Sequence, residues 1–267
     1  MRIEPGTRAI VTGASRGIGH ALCLALASRG ARLGLVARDK ERLEEVVERL
    51  PASPAGPHLA LVADVAKRGQ LQRAVDRFVK RAEGLELAVA NAGIAHYGPF
   101  VDAEIERAEE MVQINVLGTI YTAAATLPHM LDRARGHLVI LSSGAGIRAF
   151  PAAAVYGATK AADRGFAEAL RHELSGTGVS VTTVFPGEIE TGLHAHERHL
   201  LPDWRENESE LPPQRVAEAI VEAVEEDRRS VYVPGLVRLL GLNGLAPRLT
   251  DGVLRRIRGA TAAPRRD

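Results

Sequence analysis

The chain has 267 residues, 46% of them hydrophobic and 25% charged, with a formal net charge of +1. Those proportions suit one folded domain with a large buried core and exclude a disordered chain. A single cysteine, Cys23 in the apolar run 21–26, excludes an internal disulfide and reads as a small core residue.

Short apolar or β-branched runs alternate with longer amphipathic stretches as far as Val233. Strands are predicted over 8–12, 32–36, 59–63, 87–90, 137–142, 179–185 and 230–233. Helices are predicted over 17–28, 40–50, 69–82, 103–134, 155–176 and 213–226, with Gly30 and Gly176 as C-terminal stops. This order predicts an α/β fold, a single doubly wound domain whose seven-stranded parallel sheet carries helices on both faces. The Pro- and Gly-rich stretch 51–57 is a surface loop, because strand signals resume directly after it.

Directly after the first strand comes Thr12-Gly13-Ala14-Ser15-Arg16-Gly17-Ile18-Gly19, and a helix follows at once. Small residues between a strand and a helix let the backbone approach a pyrophosphate seated on the helix N-terminus. The second strand ends in Ala37 and Arg38, where an NAD site usually places a carboxylate for the ribose 2′-hydroxyl. Arg38 and Arg16 would instead pair with a 2′-phosphate, which favours NADP(H); the alternative is that both arginines only face solvent.

Tyr156 and Lys160 stand four residues apart and therefore share one face of a helix. A free tyrosine ionises near pH ~10, so a tyrosine exchanging protons near neutrality needs its phenolate stabilised, and a cation at this spacing does that. Of the 34 basic residues only Lys40, Lys67, Lys80 and Lys160 are lysines, so Lys160 is a compact ammonium where arginine is the usual choice.

With these motifs in hand, the chain resembles the short-chain dehydrogenase/reductase family from about residue 7 to residue 233. The resemblance rests on the glycine turn, Asp64 after the third strand, Asn91-Ala92-Gly93 after the fourth, Asn115, Ser143 thirteen residues before Tyr156, Tyr156-x-x-x-Lys160, and Pro186-Gly187-x-x-x-Thr191. It implies a Rossmann-like fold over residues 1–235. It also implies that Asp64 and Asn91 contact the adenosine half of the cofactor, and that Ile189 and Thr191 hold the nicotinamide carboxamide. Ser143 would hydrogen-bond a substrate carbonyl and Tyr156 would protonate it. Lys160 would grip the nicotinamide ribose and favour the Tyr156 phenolate, and Asn115 would anchor a water linking Lys160 to solvent. The chemistry is independently sensible, since hydride attack builds negative charge on oxygen that Ser143 stabilises and Tyr156 neutralises. The rival reading is a regulator or scaffold that binds NADP(H) without catalysis. The presence of Asn115, Ser143, Tyr156 and Lys160 together argues against it.

The segment 191–212 is too long for a simple connection, and the resemblance implies that it covers the substrate as a lid. With Leu193, Leu200, Leu201 and Trp204 there, and Ile147, Phe150 and Pro151 before Tyr156, an apolar pocket is expected, suited to a hydrophobic ketone, aldehyde or alcohol. His194, His196 and His199 lack the cysteines or spaced carboxylates of a metal site, so no metal is expected. Residues 236–267 form a basic extension of charge +5 on a body of about −4. Glycines and Pro247 divide it into two short amphipathic pieces, which pack over the cleft or a partner subunit or lie on an anionic membrane surface. Nucleic acid is not an expected partner, because the basic tail lacks interleaved aromatics. The resemblance implies a homodimer or homotetramer through the long helices. No apolar run reaches the ~18 residues of a bilayer span, and residues 1–6 lack a signal-peptide core, so a cytoplasmic location is expected.

Overall fold

The computed structural model describes residues 1–191 and 210–244. The strands are β1 (Arg8–Thr12), β2 (Arg32–Ala37), β3 (Leu59–Val62), β4 (Leu87–Ala90), β5 (Gly136–Leu141), β6 (Val179–Pro186) and β7 (Ser230–Val233). They form one parallel sheet in the order β3-β2-β1-β4-β5-β6-β7. The helices are α1 (Gly17–Ala27), α2 (Lys40–Arg49), α3 (Arg68–Ala82), α4 (Ile105–Met111), α5 (Gly118–Leu131), α6 (Ala154–Glu173) and α7 (Pro213–Glu225).

Alternation along each strand sends successive side chains to opposite faces, and the two faces become two cores. Ala9 and Val11 of β1, with Leu87 and Val89 of β4, meet Leu22 and Leu26 of α1, Leu43 of α2 and Ile220 of α7. Ile10, Ala88 and Ala90 point the other way, to Leu71 and Phe78 of α3, Met130 of α5 and Leu170 of α6. The sheet is therefore doubly wound, and its strand order reverses between β1 and β4. A crevice opens beyond the carboxyl ends of the strands at such a reversal.

The helix expected over 103–134 runs over 105–131 with a change of winding inside it. A 3-10 turn at Phe100–Asp102 precedes α4, and a π segment at Val112–Leu117 separates α4 from α5. The π turn holds Asn115 fully buried, and the Thr119 hydroxyl donates to the Asn115 carbonyl at 2.7 Å. Single π turns of this kind recur at functional sites. The first piece of the C-terminal extension is one 3-10 element, Gly235–Gly244, while the second lies outside the described residues.

Candidate active site

Loops from the carboxyl ends of β1, β4, β5 and β6 converge at the strand-order reversal. The turn after β1 requires glycine. Gly13 and Gly17 have φ of +67° and +56°, and a Cβ on Gly19 would strike the Gly13 carbonyl oxygen and lie 2.5 Å from Asn91 Nδ2. Asn91 braces this turn, its amide donating to the carbonyls of Thr12 at 2.8 Å and Gly13 at 3.2 Å. The Thr12 hydroxyl accepts the Asn91 and Ala92 N–H groups at 3.0 and 3.2 Å and donates to the Val89 carbonyl, fastening β1 to β4 where the crevice opens. No side chain caps the N-terminus of α1, and no acidic residue stands in its first turn. The positive end of that helix is therefore available to an anion.

On the other side of the crevice, Ser143 caps the short 3-10 turn Gly144–Gly146. Its Oγ accepts the Ala145 N–H at 3.1 Å, which leaves the hydroxyl proton to donate. Ser142 is structural, donating from Oγ to the Lys160 carbonyl at 2.7 Å and tying α6 to β5. Tyr156 enters from the first turn of α6 and packs near Tyr97, ring centroids 6.0 Å apart. One turn on, Lys160 Nζ donates to the Leu141 carbonyl at 2.8 Å and to Asp163 Oδ2 at 2.9 Å. Burial alone would push the Lys160 ammonium down. The Asp163 carboxylate, aided by Tyr156, outweighs burial and holds it above its usual value. Burial likewise pushes the Asp163 carboxyl up, against the opposing charge of Lys160.

Asn115 Oδ1 accepts the Ile94 N–H at 2.9 Å, and its amide donates to the Ile94 carbonyl at 2.9 Å and the Thr159 hydroxyl at 3.0 Å. Its side chain thus binds the loop after β4 to α6.

These elements enclose one cavity of about 840 Å³. Gly13, Ser15, Arg16, Gly17, Ile18, Arg38, Asp64, Asn91, Ala92 and Gly93 line it. So do Ser143, Tyr156, Lys160, Pro186, Gly187, Ile189 and Thr191. Of the residues expected from sequence, Gly19 and Asn115 stand behind the wall and shape it. Asp64 is held by its own turn, its Oδ1 accepting the Ala66 N–H at 3.0 Å. The loop 187–191 reaches across to the glycine turn, with Thr191 Cγ2 only 3.1 Å from the place of a Gly17 Cβ. Tyr97, from the loop after β4, joins the apolar wall without a signal in the sequence, whereas Leu211 and the pair Val237 and Leu240 line it from the lid segment and the extension, both expected over the cleft. Sequence reading also missed Asp163, although a three-residue spacing from Lys160 was a usable signal. Leu193, Leu200, Leu201, Trp204, His194, His196 and His199 lie outside the described residues.

The model of the short chain dehydrogenase family matches residues 7–200. The chain belongs to the short-chain dehydrogenase/reductase family. It is similar to an uncharacterized oxidoreductase of Listeria innocua, 39% identical over 186 residues that cover 69% of this chain and 75% of that one. Among solved structures it resembles a short-chain dehydrogenase/reductase of Burkholderia phymatum in complex with NAD, with TM-score 0.82 and 25% identity over 94% of this chain and 97% of that one. It also resembles a short-chain dehydrogenase of Sphingobium yanoikuyae in complex with NADPH, with TM-score 0.77 and 28% identity over 98% of this chain and the whole of that one. As a short-chain dehydrogenase/reductase, the protein is an oxidoreductase with a nucleotide-binding Rossmann-like fold. Among the described residues no helix is long and apolar enough to cross a membrane, and no group of His, Cys, Asp and Glu could hold a metal ion.

Proposed function

We propose that the protein is an NADP(H)-dependent oxidoreductase that interconverts a carbonyl and a hydroxyl on a small apolar molecule, with Tyr156 as the acid/base. The observation that carries this reading is the continuity of one cavity from the glycine turn to Ser143, Tyr156 and Lys160. The residues fit a dinucleotide phosphate: the α1 N-terminus is uncapped, and Arg16 and Arg38 are exposed on the cavity rim with no carboxylate at the end of β2. Structural relatives hold NAD in one case and NADPH in another. The arginines favour the 2′-phosphate here.

The hydride equivalent belongs to the nicotinamide when it is bound in this cavity. The chain's own residues do the rest. Ser143 donates its free hydroxyl proton to the substrate oxygen and holds it. Tyr156 delivers a proton to that oxygen as charge builds there, and runs the same step backwards during alcohol oxidation. Lys160 stabilises the phenolate that Tyr156 leaves behind, and its third hydrogen, not used by Leu141 or Asp163, is free to hold the ribose. A water joining Lys160 to solvent would rest on the Asn115 backbone carbonyl, because the Asn115 side chain is committed to Ile94 and Thr159.

Beyond Tyr156 the walls are Ile94, Tyr97, Phe150, Ala153, Val237 and Leu240. Such a lining desolvates an aliphatic or aromatic ketone and disfavours a sugar. Tyr156→Phe tests the assignment, because it removes one oxygen and leaves the cavity shape intact. Turnover with a panel of apolar ketones falls about a hundredfold or more, as expected for loss of a general acid, while NADPH affinity by titration calorimetry is nearly unchanged. Retained turnover refutes the role.

A further inference from the structure

Asp163 is the member of the site cluster for which this chemistry has no task. It stands one turn beyond Lys160 on α6, 1% exposed, with Oδ2 accepting from Nζ at 2.9 Å. Its Oδ1 is buried without a hydrogen-bond partner. The Thr119 hydroxyl donates its proton to the Asn115 carbonyl at 2.7 Å and also lies within hydrogen-bonding reach of the Asp163 carboxyl, where it favours the charged form. A carboxylate with one oxygen orphaned in a core is a poor device for stability, since apolar residues commonly replace a buried pair without loss.

What Asp163 supplies is charge. Lys160 is 5% exposed. Among the described residues, the ionisable groups acting on it are Asp163 and Tyr156, both on α6. β5 presents only the neutral Leu141 carbonyl, and the π segment and α5 present the neutral Asn115 and Thr119. A lysine buried among neutral groups loses its proton readily. We propose that Asp163 is a positioning residue that keeps Lys160 protonated and drawn to the end of β5, so that the cation serving Tyr156 persists although Lys160 is buried. The inference rests on Tyr156 as the acid/base.

The test is kcat/KM against pH, from 6 to 10, with NADPH and an apolar ketone and with NADP and the alcohol. Asp163→Asn keeps the shape without the charge, and Asp163→Leu keeps the branching at Cγ, at a larger volume, without any polar demand. Each is first checked for a cooperative thermal melt. The alkaline limb in both moves down by about one pH unit or more, a loss of about tenfold at pH 9 relative to pH 6.5. A folded variant with the wild-type profile overturns the proposal.

Lysine NMR on the wild-type protein gives a readout that needs no Asp163 variant, since the chain has only four lysines and Lys160→Met assigns the signal. The Lys160 resonance stays in its protonated form to a higher pH than a free lysine side chain does; titration below the free side chain overturns the proposal as well. Tyr156→Phe, assayed in parallel, separates the two claims. An active Tyr156→Phe enzyme overturns the reading of the site and this inference with it. An inactive one beside an unshifted alkaline limb overturns only the role of Asp163.

Discussion

Acid should weaken this fold through one residue at the start of β5. His137 is 1% exposed, and its Nε2 lies 2.7 Å from the Thr182 hydroxyl oxygen. Thr182 donates its own proton to the Arg228 carbonyl at 2.6 Å, so Nε2 must be the protonated nitrogen and Nδ1 the bare one, buried without a partner. Burial, reinforced by the N-terminal ammonium and only partly opposed by Asp227, pushes the imidazole from its ordinary 6.5 down to about 4. The unfolded chain binds a proton as pH falls through about 6.5, whereas the folded chain refuses it until about pH 4. Stability is therefore intact above the unfolded value and is lost as pH falls through that window. At ~1.4 kcal/mol per unit, the gap of about 2.5 units corresponds to about 3 kcal/mol. Urea unfolding followed by circular dichroism at pH 7.0, 5.5 and 4.0 measures it, with His137→Gln as the reference that cannot titrate. The wild type loses about 3 kcal/mol more than the variant between pH 7 and 4. Parallel losses in the two proteins would falsify the assignment of the penalty to His137.

Two further outcomes concern the cofactor end of the cavity. Gly19→Ala places a methyl against the Gly13 carbonyl, a backbone atom that cannot rotate away. Melting temperature falls with a loss of about 1–3 kcal/mol, and NADPH affinity by calorimetry falls with it; a variant that binds NADPH normally would show that the turn tolerates a wider path. Arg38→Ala narrows the preference for NADPH over NADH by about tenfold, the low end for a charge-assisted hydrogen bond because Arg38 is exposed. An unchanged ratio of kcat/KM values removes Arg38 from cofactor selection.

The strands were legible because each is a short apolar run closed by a glycine, proline or polar residue. The sequence boundaries of β1, β4 and β7 coincide with the structure, β2, β3 and β6 differ by one residue at one end, and β5 is shifted by one residue at both ends. The glycine turn, Ser143, Tyr156 and Lys160 were legible because their chemistry is local in the chain. The long helix is unbroken over 105–131, but apolar periodicity cannot register the π turn within it, which depends on where Asn115 finds partners in Ile94 and Thr159. Asp163 escaped notice for a related reason. An aspartate three residues after a lysine is ordinary on a solvated helix face, and only the packing of α6 against β5 shows that this face is dry. Tyr97 lies far along the chain from Val237 and Leu240, which share the 3-10 element Gly235–Gly244, so its meeting with them is a property of topology.

The 3-10 element Gly235–Gly244 follows β7, after the sheet is complete. It sends Val237 and Leu240 into the cavity wall while Leu236, Leu239 and Leu242 are exposed. The turn that fits a dinucleotide and the groups proposed for proton exchange all come from residues 13–191, whereas part of the apolar wall is added by an appendage that bears on few of the strands. Such an arrangement separates two kinds of change. Substitutions in the appendage can reshape what is accepted at one end without disturbing the parallel sheet or the glycine turn at the other. A chimaera exchanging only this terminal element is thus a compact way to retune selectivity on a fixed chassis.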